Sequence, residues 1–329
     1  MHISSFLHRL SSYAQAWDRW WTDESYPHVM GIFRCIFGLW MLLYWGIRLP
    51  YIRILFSTDG IVFPKIPAYM PEQLQWLLQV PEPRISLIIY CVLLLSLLCL
   101  TVGLYTRSSA GIAFLLSWYY FYLSLQLFHT SFDRLYIFVL FVLMISQAGE
   151  YLSIDAWEKY GSPLRWGKMI SIFPQRLIAF QLTMTYFGVG FQKLWLPDWQ
   201  GGEMLWYSMM GVWATPLAFK ITSHGWSNWY HVAVNFVKLF ELLLPFSFWI
   251  KRYHIRWIGI FSAVLFHLSV DLLLSIWWFA ILIPAYIVFF SPTEVYALIA
   301  RVLKATSYNG SPQHIVQQTD PKEGHGDTV

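Results

Sequence analysis

Long apolar runs separated by short polar turns dominate the chain, and most are close to the roughly 20 residues a helix needs to cross a bilayer core. They predict spans at Val29–Tyr51, Ile85–Tyr105, Ala110–Phe128, Leu135–Tyr151, Ile178–Leu194 and Val232–Ile250. From Ile255 to Phe290 the chain is almost continuously apolar, too long for one crossing. This stretch reads as two spans, Ile255–Asp271 and Leu273–Phe290, joined by a tight turn. A further run, Met204–Phe219, carries Gly211 and Pro216 and reads as re-entrant or interfacial, with a ninth span as the alternative. The expectation is an all-α polytopic bundle of about eight spans.

The first residues follow a different pattern. Phe6, Leu10, Tyr13, Trp17 and Trp20 recur at helical spacing, with Arg9, Asp18 and Arg19 among the polar positions. That is the signature of an amphipathic helix lying in the membrane interface, a simple anchor rather than a specific partner contact. The chain thus divides into an interfacial helix over 1–21, a transmembrane domain over 22–292, and a short helix with a polar tail over 293–329. The tail from Ser307, rich in Gln, Asp, Gly and Pro, is expected to be disordered. Loop Ser57–Pro83, with five prolines, is expected on the extracytoplasmic side.

Composition supports the membrane reading. The chain is 57% hydrophobic and 12% charged, where a soluble domain carries roughly 25% charged residues. A net charge of +4, dispersed along the chain, gives no basis for nucleic-acid binding. Lys and Arg are denser on the side holding the N-terminus, Arg107, Lys159, Arg165, Lys168, Arg176, Lys251, Arg252, Arg256 and the tail, which places both termini in the cytoplasm. Cys35, Cys91 and Cys99 lie in apolar runs without CxxC spacing, as buried free thiols do. The stripes Trp118–Phe121 and Trp277–Phe279 read first as lipid-facing belts rather than cofactor boxes.

Ionisable groups inside the apolar runs carry the candidate chemistry, because each costs a few kcal/mol there unless paired or hydrated. Lys193 closes the fifth span and is followed by a Trp- and Gly-rich turn that includes Trp199. A lysine so placed loses its proton more easily and is a candidate base. Arg34, early in the first span, either snorkels to the interface or enters an internal ion pair. His129, Asp133 and Arg134 flank the fourth span, as a hydrated loop edge or a polar rim. Lys238 and Glu241, three apart, share a helix face; they form a local pair, or Glu241 reaches across to Lys193. His267 and Asp271, four apart, place a carboxylate one turn from an imidazole, where it fixes the ring's tautomer. Two ligands without a third do not indicate a metal site.

Several of these segments together resemble a known family. The run Tyr186–Leu194 followed by Asp198, Trp199 and Gly201 is similar to the vitamin K-dependent γ-carboxylase, and equally to the bacterial members of its membrane-domain family, the horizontally transferred transmembrane (HTTM) domain. Phe266–Leu268 with Leu274–Ile276 and Phe279, the segment Tyr151–Asp155, the acidic span around Glu241, the segment Arg34–Gly38 and Asp59–Gly60 also match, in order, over roughly residues 20–292. The resemblance implies that Lys193 is the base that deprotonates a reduced, vitamin K-like quinone; the span count and loop charges put it on the extracytoplasmic side. The resemblance also implies that His267 is a second catalytic residue, and that the chain sits in a bacterial inner membrane. Glu241, Asp271, Asp133, Arg34 and Trp199 form the expected supporting polar cluster. Two departures stand out. Phe132-Asp133-Arg134 lies where the carboxylase has a functionally important histidine, with His129 out of register. The carboxylase's large extramembrane portion, which holds its protein substrate, has no counterpart before the sequence stops.

Three functions stay open on the residues. One is a carboxylase-like or quinone-linked membrane enzyme. Another is a non-enzymatic factor for maturation or export of a peptide or protein. The last is a small-molecule or proton transporter using Lys193, Glu241, His267 and Asp271 as a relay, against which stands the lack of an evident inverted repeat.

Overall fold

The computed structural model describes residues 2–62, 71–124, 132–226 and 228–307, and these are almost entirely helical. The long helices are α1 (His2–Thr22), α2 (His28–Gly46), α3 (Pro83–Val102), α4 (Thr106–Ser124), α5 (Asp133–Ile145), α6 (Phe173–Lys193), α7 (Trp229–Ser247), α8 (Ile255–Leu274) and α9 (Pro292–Ser307). A two-residue antiparallel ladder ties Glu24–Ser25 to Ile170–Ser171. His129, Lys65 and the tail beyond Ser307 lie outside the described residues, as do the side chains of Phe6 and Leu10.

By length and composition, three helical stretches are able to cross a membrane among the described residues: His28–Phe56, Pro83–Val102 and Ile255–Leu274. The stretch His28–Phe56 joins α2 to a short 3-10 turn and the Ile52–Phe56 helix. A bent pair, Trp277–Phe289 with Pro292–Val302, meets the same test as a unit but turns by 96°. The apolar faces follow helical spacing. In α7 the buried positions are Tyr230, Val234, Lys238, Glu241, Leu244 and Pro245, and in α8 they are Arg256, Gly259, Ala263 and His267. Each is a single inward stripe, so the polar residues on it are carried into the bundle.

The second half of the Ile255–Phe290 run departs from the expected span. It forms not one helix but a chain of short pieces, Trp277–Ile281, Leu282–Ala285 and Tyr286–Phe289. Backbone groups freed in this way need partners inside a bundle. Neighbouring side chains supply them. Tyr136 donates to the Trp278 carbonyl at 3.1 Å, and Gln175 to those of Val288 and Phe290 at 2.9 and 2.8 Å. Arg256 donates to the Phe289 carbonyl at 3.3 Å. The Met204–Phe219 run is likewise broken, into Glu203–Ser208 and Pro216–Thr222.

The aromatic stripes do not all face outward. Tyr120 is fully buried and donates to the Ser86 carbonyl, while Trp118 on the same helix is exposed. Near the N-terminus, Tyr13 and Trp17 are exposed, whereas Trp20 and Trp21 pack against Trp249 and Phe173.

Candidate functional site

Lys193 ends α6, and its ammonium is paired with the Glu241 carboxylate of α7. Both side chains are nearly buried, 12% and 10% exposed. The pairing depends on how closely the two helices pass. Gly190 lies one turn before Lys193, and a Cβ there would stand 2.7 Å from the Leu242 amide nitrogen and 3.0 Å from the Glu241 carbonyl carbon. Only glycine permits that approach, so the bare backbone at 190 brings Glu241 within reach of Lys193. The Lys193 ammonium also lies 4.2 Å from the centre of the Trp199 ring, a cation–π contact supplied by the turn after α6.

Lys238 does not pair with Glu241. It donates to the Trp199 carbonyl at 3.0 Å and so pins the same turn to α7. Of the two arrangements open for Glu241, the structure has the one that spans the helices.

His267 belongs to a second, adjoining group. Its Nε2 is hydrogen-bonded to the Tyr186 hydroxyl, which in turn bonds the Tyr286 hydroxyl at 2.5 Å. Tyr186 precedes Lys193 by seven residues, two helical turns, and so shares its face of α6. The imidazole stacks on Phe279, contacts Phe266, and is 3% exposed. Its Nδ1 has no hydrogen-bond partner among the described residues.

The expected polar cluster divides. Asp271 is exposed and does not bond His267. The imidazole instead reaches across the bundle to Tyr186 of α6. Asp133 is buried against Tyr44, whose hydroxyl donates to it at 2.5 Å. Arg48 covers the Tyr44 ring at 3.9 Å. Arg34 neither snorkels nor enters a salt bridge. It is fully buried and donates to the backbone carbonyls of Leu100, Thr101, Ala148 and Leu152, with distances of 2.6, 2.9 and 3.2 Å for the first three. Gly103, left-handed at φ 73° where α3 ends, leaves room for the guanidinium: a Cβ there would lie 2.5 Å from Nη1.

Sequence reasoning missed Tyr186 and Tyr286. In a chain with 20 tyrosines, nothing in their spacing separates two buried hydroxyls from ring-belt residues. An apolar groove of about 410 Å³ between α7 and α8, lined by Phe236, Phe240, Ser247 and Gly259 among others, includes neither Lys193 nor His267.

An all-helical bundle with spans of membrane length, and with charged and imidazole side chains turned inward, defines an integral membrane protein. The HTTM domain matches residues 23–294, and the chain belongs to that family, with which the resemblance to γ-carboxylase is consistent. No curated protein and no solved structure matches the chain.

Proposed function

We propose that the protein is a carboxylase-like membrane enzyme in which Lys193, tuned by Glu241, takes a proton from a reduced quinone. The observation that carries this reading is the buried Lys193–Glu241 pair. A buried ion pair contributes little to stability compared with well-packed apolar residues of the same volume, so its presence is more readily explained by use than by folding. Moving one proton from Nζ to the Glu241 carboxylate converts the pair into a neutral amine and a carboxylic acid. The amine then holds a free lone pair in a setting with little water, ready to accept a proton. Trp199 holds the ammonium when the proton returns, and Lys238 holds Trp199.

The residues fit a quinone in their donor set and surroundings. The unpartnered His267 Nδ1 and the Phe266 and Phe279 rings offer one polar contact on an aromatic wall. A bound reduced quinone supplies an acidic hydroxyl and, with oxygen, a strong base. His267 would orient it and Lys193 would receive the proton.

Eight spans with both termini in the cytoplasm, and α1 in the interface, complete this reading. It is supported by the seven long helices α2 to α8 with the interrupted Trp277–Phe289 segment, and by the loop charges. It places Lys193 near the extracytoplasmic side of a bacterial inner membrane. The interrupted Trp277–Phe289 segment is what a transporter reading needs. Its carbonyls at Trp278, Val288 and Phe289 are already taken by Tyr136, Gln175 and Arg256, which favours a structural role.

The test is oxygen consumption by the purified full-length protein with a reduced naphthoquinone. The expected result is turnover that falls about 100-fold or more in Lys193→Ala, the size of a lost general base. Equal rates in wild type and Lys193→Ala would overturn the assignment.

A further inference from the structure

We infer that Tyr286 and Tyr186 are positioning residues that hold the His267 proton on Nδ1, so that the site presents a hydrogen-bond donor, not an acceptor, to its ligand. The inference rests on His267 belonging to the site proposed above.

The geometry leaves two head-to-tail directions for the hydrogen-bond chain Tyr286–Tyr186–His267, while an arrangement in which Tyr286 and Nε2–H both donate to Tyr186 orphans the Tyr186 proton as well as Nδ1. Among the described residues no carboxylate bonds the imidazole, and a charged ring buried without a counter-ion is costly, so the ring carries one proton. In the first direction Tyr286 donates to Tyr186, Tyr186 donates to Nε2, and the ring proton sits on Nδ1. Both hydroxyl protons are then used, and Nδ1–H alone is unpartnered. In the reverse direction Nε2–H donates to Tyr186 and Tyr186 donates to Tyr286. The Tyr286 proton then has no acceptor among the described residues, because its hydroxyl bonds Tyr186 alone, and bare Nδ1 has no donor. One direction leaves a single orphan and the other leaves two. Buried polar groups without partners are costly, so the first direction prevails.

The remaining orphan is informative. Nδ1 is buried with its ring 3% exposed, among Phe266 and Phe279, and no described residue completes it, which leaves the position to a ligand. A neutral N–H on an aromatic wall selects an uncharged oxygen acceptor, such as a carbonyl or ether, on an otherwise apolar molecule. A carboxylate or phosphate would enter this wall with no cation among the described residues paired to the ring. Tyr286 comes from the interrupted segment after α8 and Tyr186 from α6, so the tautomer is set by two elements other than the one that bears the histidine.

The experiment is solid-state NMR of the full-length protein in liposomes with ring-¹⁵N histidine, the His267 signals being assigned by difference with His267→Gln. The expected wild-type spectrum has a protonated Nδ1 and an unprotonated Nε2. Tyr186→Phe is expected to shift the population toward Nε2–H, the form a free histidine side chain favours, and Tyr286→Phe to give a mixture. A wild-type Nε2–H tautomer, a doubly protonated ring, or a Tyr186→Phe spectrum identical to wild type would overturn the inference. The wild-type spectrum decides even where a variant fails to fold. Because the readout needs no turnover, loss of the Lys193 assignment and loss of this one are separable.

Discussion

Two buried cations, Arg34 and Lys193, are held in opposite ways. Arg34 spends its guanidinium on backbone carbonyls from the end of α3 and from the Ala148–Leu152 segment. None of those acceptors can take its proton, and an arginine does not give it up. Lys193 faces a carboxylate that can take one. A cation fixed by main-chain oxygens ties segments together. A cation fixed by a titratable side chain holds a proton that can move. What a charge is bonded to says more about its role than its burial does, since Arg34 is the more deeply buried of the two.

The largest expected effect comes from removing the clamp. Arg34→Met leaves four carbonyls without their donor, and the loss is on the order of 5 kcal/mol, enough to abolish folded protein. Arg34→Lys is expected to rescue little, because an ammonium cannot reproduce the planar fork. Thermal unfolding in detergent, followed by tryptophan fluorescence, reads both. An Arg34→Met protein as stable as wild type would erase the contrast.

Next in size is Gly190→Ala, which pushes α6 from α7 at the point where Glu241 reaches Lys193. A cost of about 2 kcal/mol is expected, as for overpacking, together with loss of Lys193-dependent turnover. If the variant lost stability yet kept full turnover, the helix approach would not be what sets the pair.

The smallest effect lies at Glu150, which the structure places past the end of α5 and so beyond the fourth span, shorter than the expected Leu135–Tyr151. Burial pushes its carboxyl up, but hydrogen bonds from Tyr160, Lys159 and Lys168 outweigh burial and hold it below the usual carboxylate range. A depressed carboxylate contributes stability that is present above its unfolded value, about 4.3, and lost as pH falls through the folded one. Glu150→Gln should therefore flatten the loss of stability below about pH 4.3 and leave Lys193-dependent turnover at neutral pH unchanged. Unfolding scans across pH 3 to 7 check it, and an unchanged acid limb would contradict it.

The apolar runs foretold the helices well, as α3 and α6 show. Ile85–Tyr105 was expected against Pro83–Val102 observed, and Ile178–Leu194 lies almost wholly in Phe173–Lys193. Periodicity failed at Leu273–Phe290, where hydropathy is right for a span but the backbone is interrupted. The side chains that make the interruption tolerable, Tyr136, Gln175 and Arg256, are distant in sequence. The Lys193–Glu241 pair was legible as one of two arrangements, because both charges stand out in apolar runs. The Arg34 clamp was not, because backbone acceptors leave no mark on residue identity. The His267–Asp271 spacing misled for a related reason: helical periodicity puts two residues on one face but does not say that the ring turns instead to Tyr186.

The most direct test of the contrast is the thermal stability of the double variant Lys193→Met/Glu241→Leu, compared with Lys193→Met alone. If the pair serves chemistry and not the fold, removing both charges leaves stability within about 1 kcal/mol of wild type, while the single change costs about 3 kcal/mol by stranding Glu241. A double variant as damaged as Arg34→Met would mean that Lys193, too, is a clamp.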